Sequence, residues 1–488
     1  MRRALAVVLV CCLLSGTAFA VADGAVSPSV AGVTPSPNTT GSLTVDPDAL
    51  ETASYRRATL DVSATLTLAT RSLDGQFEQR VLDERANELD AASARRAQLN
   101  RSVARVETGI ARLRARQTAA VRGYNNGTLT DREFVVELAY IDTAAGRLET
   151  AAGRVADRAD SLAGAQIDGQ PVDNWAQNRQ VQLGALEGPV RERIAGALRG
   201  ENTVRIENQP VRIDGVNATP TTRLEPLRVY VETTDAGVVL ATVDDGTYLR
   251  EASLPGERNN TTAGELTGIQ DALDRVQTSY PWAWNHSSST TSAGDRRAGI
   301  YAFTLYHDQG VLTTSLNRTS GRVFAEDQRI DLSSVPTATP VQNRTDDLRL
   351  QVNRTSPTGP LELSLSTADG EPADGRIAIN NQSVGATGDD GQLWTVAPHE
   401  NLSVTARTGE GVITVNTDAT VGNDTAVGSD STIGTDATAG TGTAAGTNAT
   451  VGIDTAIGSD TTDGSNTPER TATVTTAVAS TAVRPAEG

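Results

Sequence analysis

Residues 130–162 read TDREFVVELAYIDTAAGRLETAAGRVADRADSL. Phe134, Leu138, Ile141, Ala145, Leu148, Ala152, Val155, Ala159 and Leu162 alternate spacings of four and three, a heptad seam sustained over about four heptads. Thr130 and Glu133 form a capping box that satisfies free backbone N–H groups at the helix start. Upstream, Leu99, Val103, Val106, Ile110 and Leu113 repeat the spacing, and Gly123-Tyr124-Asn125-Asn126-Gly127 makes the turn between the two helices. A segment from about Leu73 to Leu89, with Phe77 and Val81, supplies a first helix. The reading is an α-helical coiled-coil bundle over residues 51–166. Between Ala91 and Arg122 stand eight arginines and one acid, Glu107, whereas the flanking helices are net acidic. Either the basic helix packs between acidic ones, with cross-helix pairs fixing register, or it offers a strip to an anionic partner such as lipid headgroups or polysaccharide. The first is preferred, because its partners are already in the chain.

Beyond this bundle the period changes. Gln180 to Gly200 reads as a helix restarting at Pro189, a favourable first-turn residue. Arg228–Glu232, Val238–Val243 and Tyr248–Leu254 read as strands, with Asp244-Asp245-Gly246 as a hairpin turn. Thr262-Ala263-Gly264-Glu265 reads as a second capping box, opening an amphipathic helix with Leu266, Ile269, Leu273 and Val276. Strands return at Ile300–Tyr306, Gly310–Leu316 and Arg322–Ile330. This helix and meander, with Asn317-Arg318-Thr319-Ser320-Gly321-Arg322-Val323-Phe324 at the last turn, resembles a PepSY-type domain. That family often carries Asp-x-x-Thr-Gly before its last strand; here Asn317 replaces the Asp and Ser320 the Thr. The resemblance implies an exported module that binds peptides or restrains a protease.

From Pro360 to about Val415 short strands alternate with Asp369-Gly370-Glu371-Pro372 and Gly385-Ala386-Thr387-Gly388-Asp389-Asp390-Gly391. This segment is similar to the carboxypeptidase-regulatory or transthyretin-like β-sandwich family. The similarity implies a structural or interaction domain with no catalytic residues. Thr417 to Gly464 then repeats a six-residue unit in which one small apolar residue precedes nearly every Gly. It resembles the hexapeptide repeat of left-handed β-helices. With so few copies, a Thr/Asp/Gly spacer that cannot offset its ordering entropy is the preferred reading.

The N-terminus reads as an export signal. Arg2 and Arg3 precede an apolar run from Ala4 to Leu14, too short to span a bilayer, and Ala18-Phe19-Ala20 suits signal peptidase. Cleavage is expected before Val21, by a Sec or twin-arginine route. Both cysteines, Cys11 and Cys12, lie inside the signal, so the mature chain has no thiol or disulfide chemistry. The formal charge is −18, and two units more negative without Arg2 and Arg3. Every basic residue is Arg and Met1 is the only methionine. An acidic, lysine-free, Ala/Thr/Asp/Gly-rich chain resembles proteins of extremely halophilic archaea. Its charge favours solubility and argues against nucleic-acid binding.

About fourteen Asn-x-Ser/Thr sequons occur, potential glycan sites in an exported chain. They include Asn38, Asn100, Asn126, Asn217, Asn285, Asn317, Asn343, Asn353, Asn401 and Asn448. His286, His307 and His399 share no ligand spacing, and no nucleophile elbow, Walker loop or His-Glu-x-x-His is present. No catalytic, cofactor or metal residue is therefore assigned, and the Asp-Gly pairs are read as turns rather than calcium ligands. Tyr280-Pro281-Trp282-Ala283-Trp284 is either an exposed sugar- or partner-stacking cluster or, as preferred, a plug between helix and sheet.

The expected fold is a multidomain α+β chain. It comprises a signal peptide (1–20), a linker (21–50), the helical coiled-coil bundle (51–166), and a helix with connecting strands (167–225). An α+β domain (226–335), a second linker (336–359), a small β-sandwich (360–415) and a low-complexity tail (416–488) follow. The expected role is an exported, non-enzymatic scaffold or adhesin at the cell surface. Its partner would be an envelope protein or glycan, with no nucleic acid and no stable transmembrane segment after signal cleavage. The competing reading is peptide capture or protease restraint by the middle domain, and an enzyme of unknown type is the third.

Overall fold

The computed structural model describes residues 32–87, 91–159, 162, 165–201, 204–207, 212–213, 216–217, 221–258, 264–295, 297–336 and 340–417. The expected export signal (1–20), the hexapeptide repeat beyond Thr417 and Asn448 lie outside the described residues. The chain opens with a short hairpin, β1 (Val33–Thr34) and β2 (Ser42–Leu43), then strand β3 (Thr52–Ala58). Three long helices follow, α1 (Val62–Asn87), α2 (Ala92–Asn125) and α3 (Asp131–Ala159). A ribbon of β4 (Gln166–Ile167) and β5 (Gln170–Pro171) leads to α4 (Val172–Gly184) and α5 (Pro189–Arg199). Two further ribbons pair β6 (Val204–Glu207) with β9 (Thr221–Leu224) and β7 (Arg212–Ile213) with β8 (Val216–Asn217).

The centre of the molecule is one eight-stranded antiparallel sheet. Its strands are β10 (Leu227–Thr233), β11 (Val238–Asp244), β12 (Thr247–Ser253), β13 (Ser287–Asp295), β14 (Ile300–His307), β15 (Gly310–Asn317), β16 (Val323–Asp331) and β3. They lie in the order β13-β14-β15-β16-β12-β11-β10-β3. Strand β3 therefore leaves the helical region and pairs along β10, from Ala58 opposite Leu227 to Thr52 opposite Thr233. The β11–β12 turn matches its sequence reading: Asp245 and Gly246 both take positive φ, the requirement of a two-residue primed turn.

Strand alternation gives the sheet two buried faces. Leu227, Val229, Val231, Val238, Leu240 and Leu249 pack against α1, α3, α5 and the α2–α3 turn. The opposite face buries Val239, Ala252, Phe303, Leu305 and Leu312 beneath α6 (Ile269–Ser279), α7 (Pro281–Asn285) and the β1–β2 hairpin. Helices α2 and α3 meet antiparallel along the seam, with Leu99, Val106, Ile110 and Leu113 facing Ile141, Ala145, Ala152 and Val155. At Gly109 a Cβ would lie 2.8 Å from the Leu148 methyls, so glycine permits the close approach. The Thr130–Glu133 capping box forms as expected, with the Glu133 carboxylate accepting the Thr130 N–H at 2.9 Å.

Several expectations need correction. Residues 33–45 are not a linker: Val33, Leu43 and Val45 enter the core. The first helix does not bury Phe77, which faces outward with Leu73; Ala64 and Leu68 make its contact instead. Helix α6 begins at Ile269, where Asp271 accepts the Thr267 N–H at 2.9 Å; Glu265 pairs with Arg318, and Thr262 lies outside the described residues. Helix propensity and local charge do not report which apolar residues a neighbouring sheet will cover.

The segment from 336 to 359 is likewise no linker. It contributes β17 (Val341–Arg344) and β18 (Leu348–Arg354) to a sandwich completed by β19 (Pro360–Thr367), β20 (Arg376–Ile379), β21 (Gln382–Ala386), β22 (Gln392–Val396), β23 (Leu402–Arg407) and β24 (Val412–Thr417). Its sheets are β17-β18-β19-β22 and β21-β20-β23-β24, enclosing Leu350, Leu363, Ile377, Val404 and Ile413.

Candidate functional site

The sandwich is joined to the central sheet by tyrosines that alternation places on one sheet face. Tyr55 of β3 and Tyr230 of β10 are register partners and meet edge to face at 5.1 Å. The Tyr55 hydroxyl donates to the Val396 carbonyl and the Tyr248 hydroxyl to the Thr358 carbonyl. Tyr55 N–H donates to Gln382 Oε1 at 2.9 Å, and Tyr230 accepts the His399 N–H at 3.3 Å. Val396 and Trp394 pack with Tyr230, Tyr248, Ile330 and Leu332. Glu232, completely buried here, faces His399 with 3.9 Å between Oε1 and Nδ1. Burial pushes its pKa up to about 7, opposed by Arg250 and the Tyr230 hydroxyl. Burial, with Arg354 and Arg250 nearby, holds His399 below its ordinary value. At neutral pH this junction contains a neutral imidazole beside a carboxyl close to its titration point.

Two buried ion pairs lie back to back in the sheet. On the helical face, Arg191 Nε meets Glu251 Oε1 at 2.7 Å, while Glu251 Oε2 accepts the Val190 and Arg191 N–H groups at 3.1 and 3.2 Å. A sheet carboxylate thus caps the N-terminus of α5, where the helix dipole favours an anion. A cavity of about 120 Å³ adjoins it, lined by Glu187, Arg191, Glu251 and Asp327 among others. Burial pushes Glu187 up to about 7, aided by Glu149 and Asp142, and pushes Asp142 up to about 6, aided by Glu251. Asp327 is also raised, by burial and then by Glu251. Among the described residues no group of three His, Cys, Asp or Glu is placed to hold a metal ion. The second pair, Arg250 with Glu326, lies on the other face beneath the β1–β2 hairpin.

The arginine-rich α2 distributes its charge among several neighbours. Arg116 makes a bidentate pair with Glu137 of α3 at 2.6 and 2.7 Å and lies over Tyr140. Glu107 pairs with Arg179 of α4, Arg122 with Asp235 in the β10–β11 turn, and Arg114 donates to Gln182. Cross-element pairing is therefore the pattern at these positions, with α4 and the sheet supplying partners that spacing alone did not indicate. A groove of about 410 Å³ between α1, α2 and α3 has Arg105, Arg112, Arg147, Arg154 and Arg158 around an apolar floor. Burial lowers the pKa of Arg147 and Arg158.

The aromatic cluster is a plug at its core. Tyr280 and Ala283 are completely buried, and Tyr280 donates to Glu326 at 2.6 Å. Trp282 and Trp284 are half-buried against the same core. Trp282 stacks on His286 at 4.3 Å and meets His307 edge-on at 5.5 Å, so two histidines remote in sequence converge on one indole. His307, held near a pKa of about 4 by burial, accepts the Gln309 N–H and is neutral.

Among the sequons, Asn38, Asn100, Asn126, Asn285, Asn343 and Asn401 are exposed. Asn317 and Asn353 are buried: Asn317 Oδ1 accepts two N–H groups of its own turn, and Asn353 donates to Glu362 at 3.1 Å. Both are fold elements first. Asn217 lies on β8. Among the described residues, no helix is long and apolar enough to cross a membrane.

No curated protein and no solved structure matches the chain. Three family models do. Residues 1–203 match a domain of unknown function, DUF7096, and residues 229–336 a family of unknown function, DUF7094. Neither a PepSY nor a transthyretin-like model is among them, so the turn at Asn317 and the Gly/Asp turns beyond Pro360 do not carry those assignments. The β-sandwich architecture stands under a different family: residues 339–415 are similar to an archaeal fibronectin-III type-like domain, in agreement with an archaeal source.

Proposed function

We propose that this chain is an exported, non-catalytic cell-surface protein with a scaffolding or adhesion role. The observation that carries the reading is the tyrosine junction. The fibronectin-III-like module does not hang on a tether: Tyr55, Tyr230 and Tyr248 tie it to a sheet that also carries the helices. Such a body holds binding surfaces at fixed separations, which is the mechanical requirement of a scaffold. In this reading the leader directs export, with cleavage before Val21. The α2–α3 hairpin acts as a coiled-coil rod, and exposed sequons such as Asn38, Asn126, Asn285, Asn343 and Asn401 carry the glycans.

Recovery of the full chain from the cell envelope, with mass spectrometry of its N-terminus, glycans and cross-linked neighbours, tests this. Enrichment in the envelope with a stable set of neighbours is expected; a cytoplasmic chain that keeps Arg2 and Arg3 refutes it. An inhibition assay against co-exported proteases, run on the whole chain because β3 completes the central sheet, tests the peptide-capture alternative. Inhibition would displace the scaffolding reading.

A further inference from the structure

Helix α1 is apolar on two sides. Ala64 and Leu68 face the core, while Val62, Leu66, Leu73 and Phe77 point outward with 70%, 66%, 65% and 71% of their surface exposed. Ala69, also exposed, completes the outer row. The spacings of four, three, four and four keep these residues on one stripe. Four large side chains about two-thirds exposed leave roughly 450 Å² of apolar surface, within the range where a patch on a monomer is often functional.

We propose that a second copy of this chain covers the stripe, with the two α1 helices antiparallel about a two-fold axis beside Ala69 and Thr70. The residue order is self-complementary. Val62 and Phe77 are equidistant from the point between 69 and 70, as are Leu66 and Leu73. Antiparallel pairing sets Phe77 against Val62 of the second copy and Leu66 against its Leu73, with the small Ala69 where the helices approach. That reciprocal contact is what an isologous two-fold interface demands. Charge agrees. Ser63, Thr67 and Thr70 beside the stripe are uncharged, Arg71 turns away to lie over Tyr140, and the exposed Arg80, one turn past Phe77, falls beyond the paired residues, opposite Thr59 of the second copy. Two copies would bury roughly 900 Å² of apolar surface, near the lower bound for a specific interface, so the dimer is a weak, concentration-dependent one. The chain's net charge of −18 opposes association at low salt, and molar salt screens it. This inference stands independently of the scaffolding role.

The test is sedimentation velocity of the full chain between about 1 and 100 μM in 2 M and 0.1 M KCl. A dimer that tightens with salt is expected, and Leu66→Glu/Leu73→Glu should weaken it at least tenfold with unchanged circular dichroism. Cross-linking supplies the register, in a background with Cys11→Ser and Cys12→Ser. Ala69→Cys should oxidise to a disulfide dimer, whereas Val62→Cys alone should not, since its two copies would stand about 22 Å apart along the helices. Mixed Val62→Cys and Phe77→Cys chains should cross-link. A monomer at every concentration, a dimer indifferent to the glutamates, or Val62→Cys linking as readily as Ala69→Cys overturns the proposal.

Discussion

Replacing Glu326 by Ala should be among the most damaging single changes in this chain. Glu326 and Arg250 are 0% and 1% exposed. One Glu326 oxygen accepts the Leu43 N–H at 2.7 Å and the Tyr280 hydroxyl at 2.6 Å; the other takes Arg250 and the Gln328 amide at 2.9 Å. Arg250 also donates to the Leu43 carbonyl. The carboxylate thus joins the β1–β2 hairpin, the α6–α7 junction and the sheet. Its removal leaves a buried guanidinium uncompensated, at about 3–5 kcal/mol. It also strands the Leu43 and Tyr280 donors, at about 1 kcal/mol or more each where water cannot reach them. We expect a loss of about 5–7 kcal/mol, which for a body of this size lowers Tm by roughly 6–9 °C. Replacing both partners, Arg250→Met/Glu326→Leu, removes the charges together and leaves only the stranded Leu43 and Tyr280 donors, so it should come within about 2–3 kcal/mol of the parent. Denaturant unfolding followed by tryptophan fluorescence gives the double-mutant cycle. If Glu326→Ala loses under about 1.5 kcal/mol, or the double variant falls as far as the sum of its singles, the network does not hold these elements as argued.

Three further outcomes follow from the same geometry. Glu232 has a folded-state pKa of about 7, above the ordinary 4.5, so its contribution is fully present below about pH 4.5 and is lost as pH rises toward 7. Glu232→Gln should flatten that fall and stabilise the protein at pH 7.5 by about 2–3 kcal/mol; comparing parent with variant cancels the opposite trend of His307, and an identical pH slope in urea melts contradicts the assignment. Gly188→Ala would set a Cβ 1.9 Å from Glu251 Oε2, so the carboxylate must leave the α5 N-terminus; a drop of about 2–4 kcal/mol in thermal unfolding is expected. Arg116→Gln should lose about 0.5–1 kcal/mol in low salt through Glu137 and Tyr140, and Arg112→Gln close to nothing, a contrast read by calorimetry.

Much of the local structure was legible in the chain. The α2–α3 seam, the Thr130–Glu133 box, Pro189 opening α5 and the Asp245-Gly246 turn are all sequence-local, because the groups that satisfy each backbone or pack each stripe lie within a few residues or one hairpin. The β-sandwich was legible from alternation and turns, but its family was not, since Gly/Asp turns serve many sandwiches equally. Strand β3 was missed: Thr-Ala-Ser-Tyr-Arg-Arg-Ala has little apolar alternation, and its pairing partner β10 begins at residue 227. The linker reading of residues 33–45 failed for the same reason, since Leu43 is held by Glu326 and Arg250 from strands more than two hundred residues away.

The candidate sites divide along the same line. His286 and His307 meet over Trp282 only because α7 packs on β14. Glu232 acquires its raised pKa only because the sandwich and sheet exclude water from it. By itself the sequence determined the α2–α3 pair, the α5 start, the hairpin turns, the strand periods from Arg228 onward and an acidic, lysine-free composition, since these depend on neighbours in the chain and on the sum of its charges. Only the tertiary structure decided which apolar stripe is covered and which is left outward on α1, and which charges are stripped of water and paired. Both depend on what the rest of the chain places opposite them, and no local pattern encodes a partner hundreds of residues away.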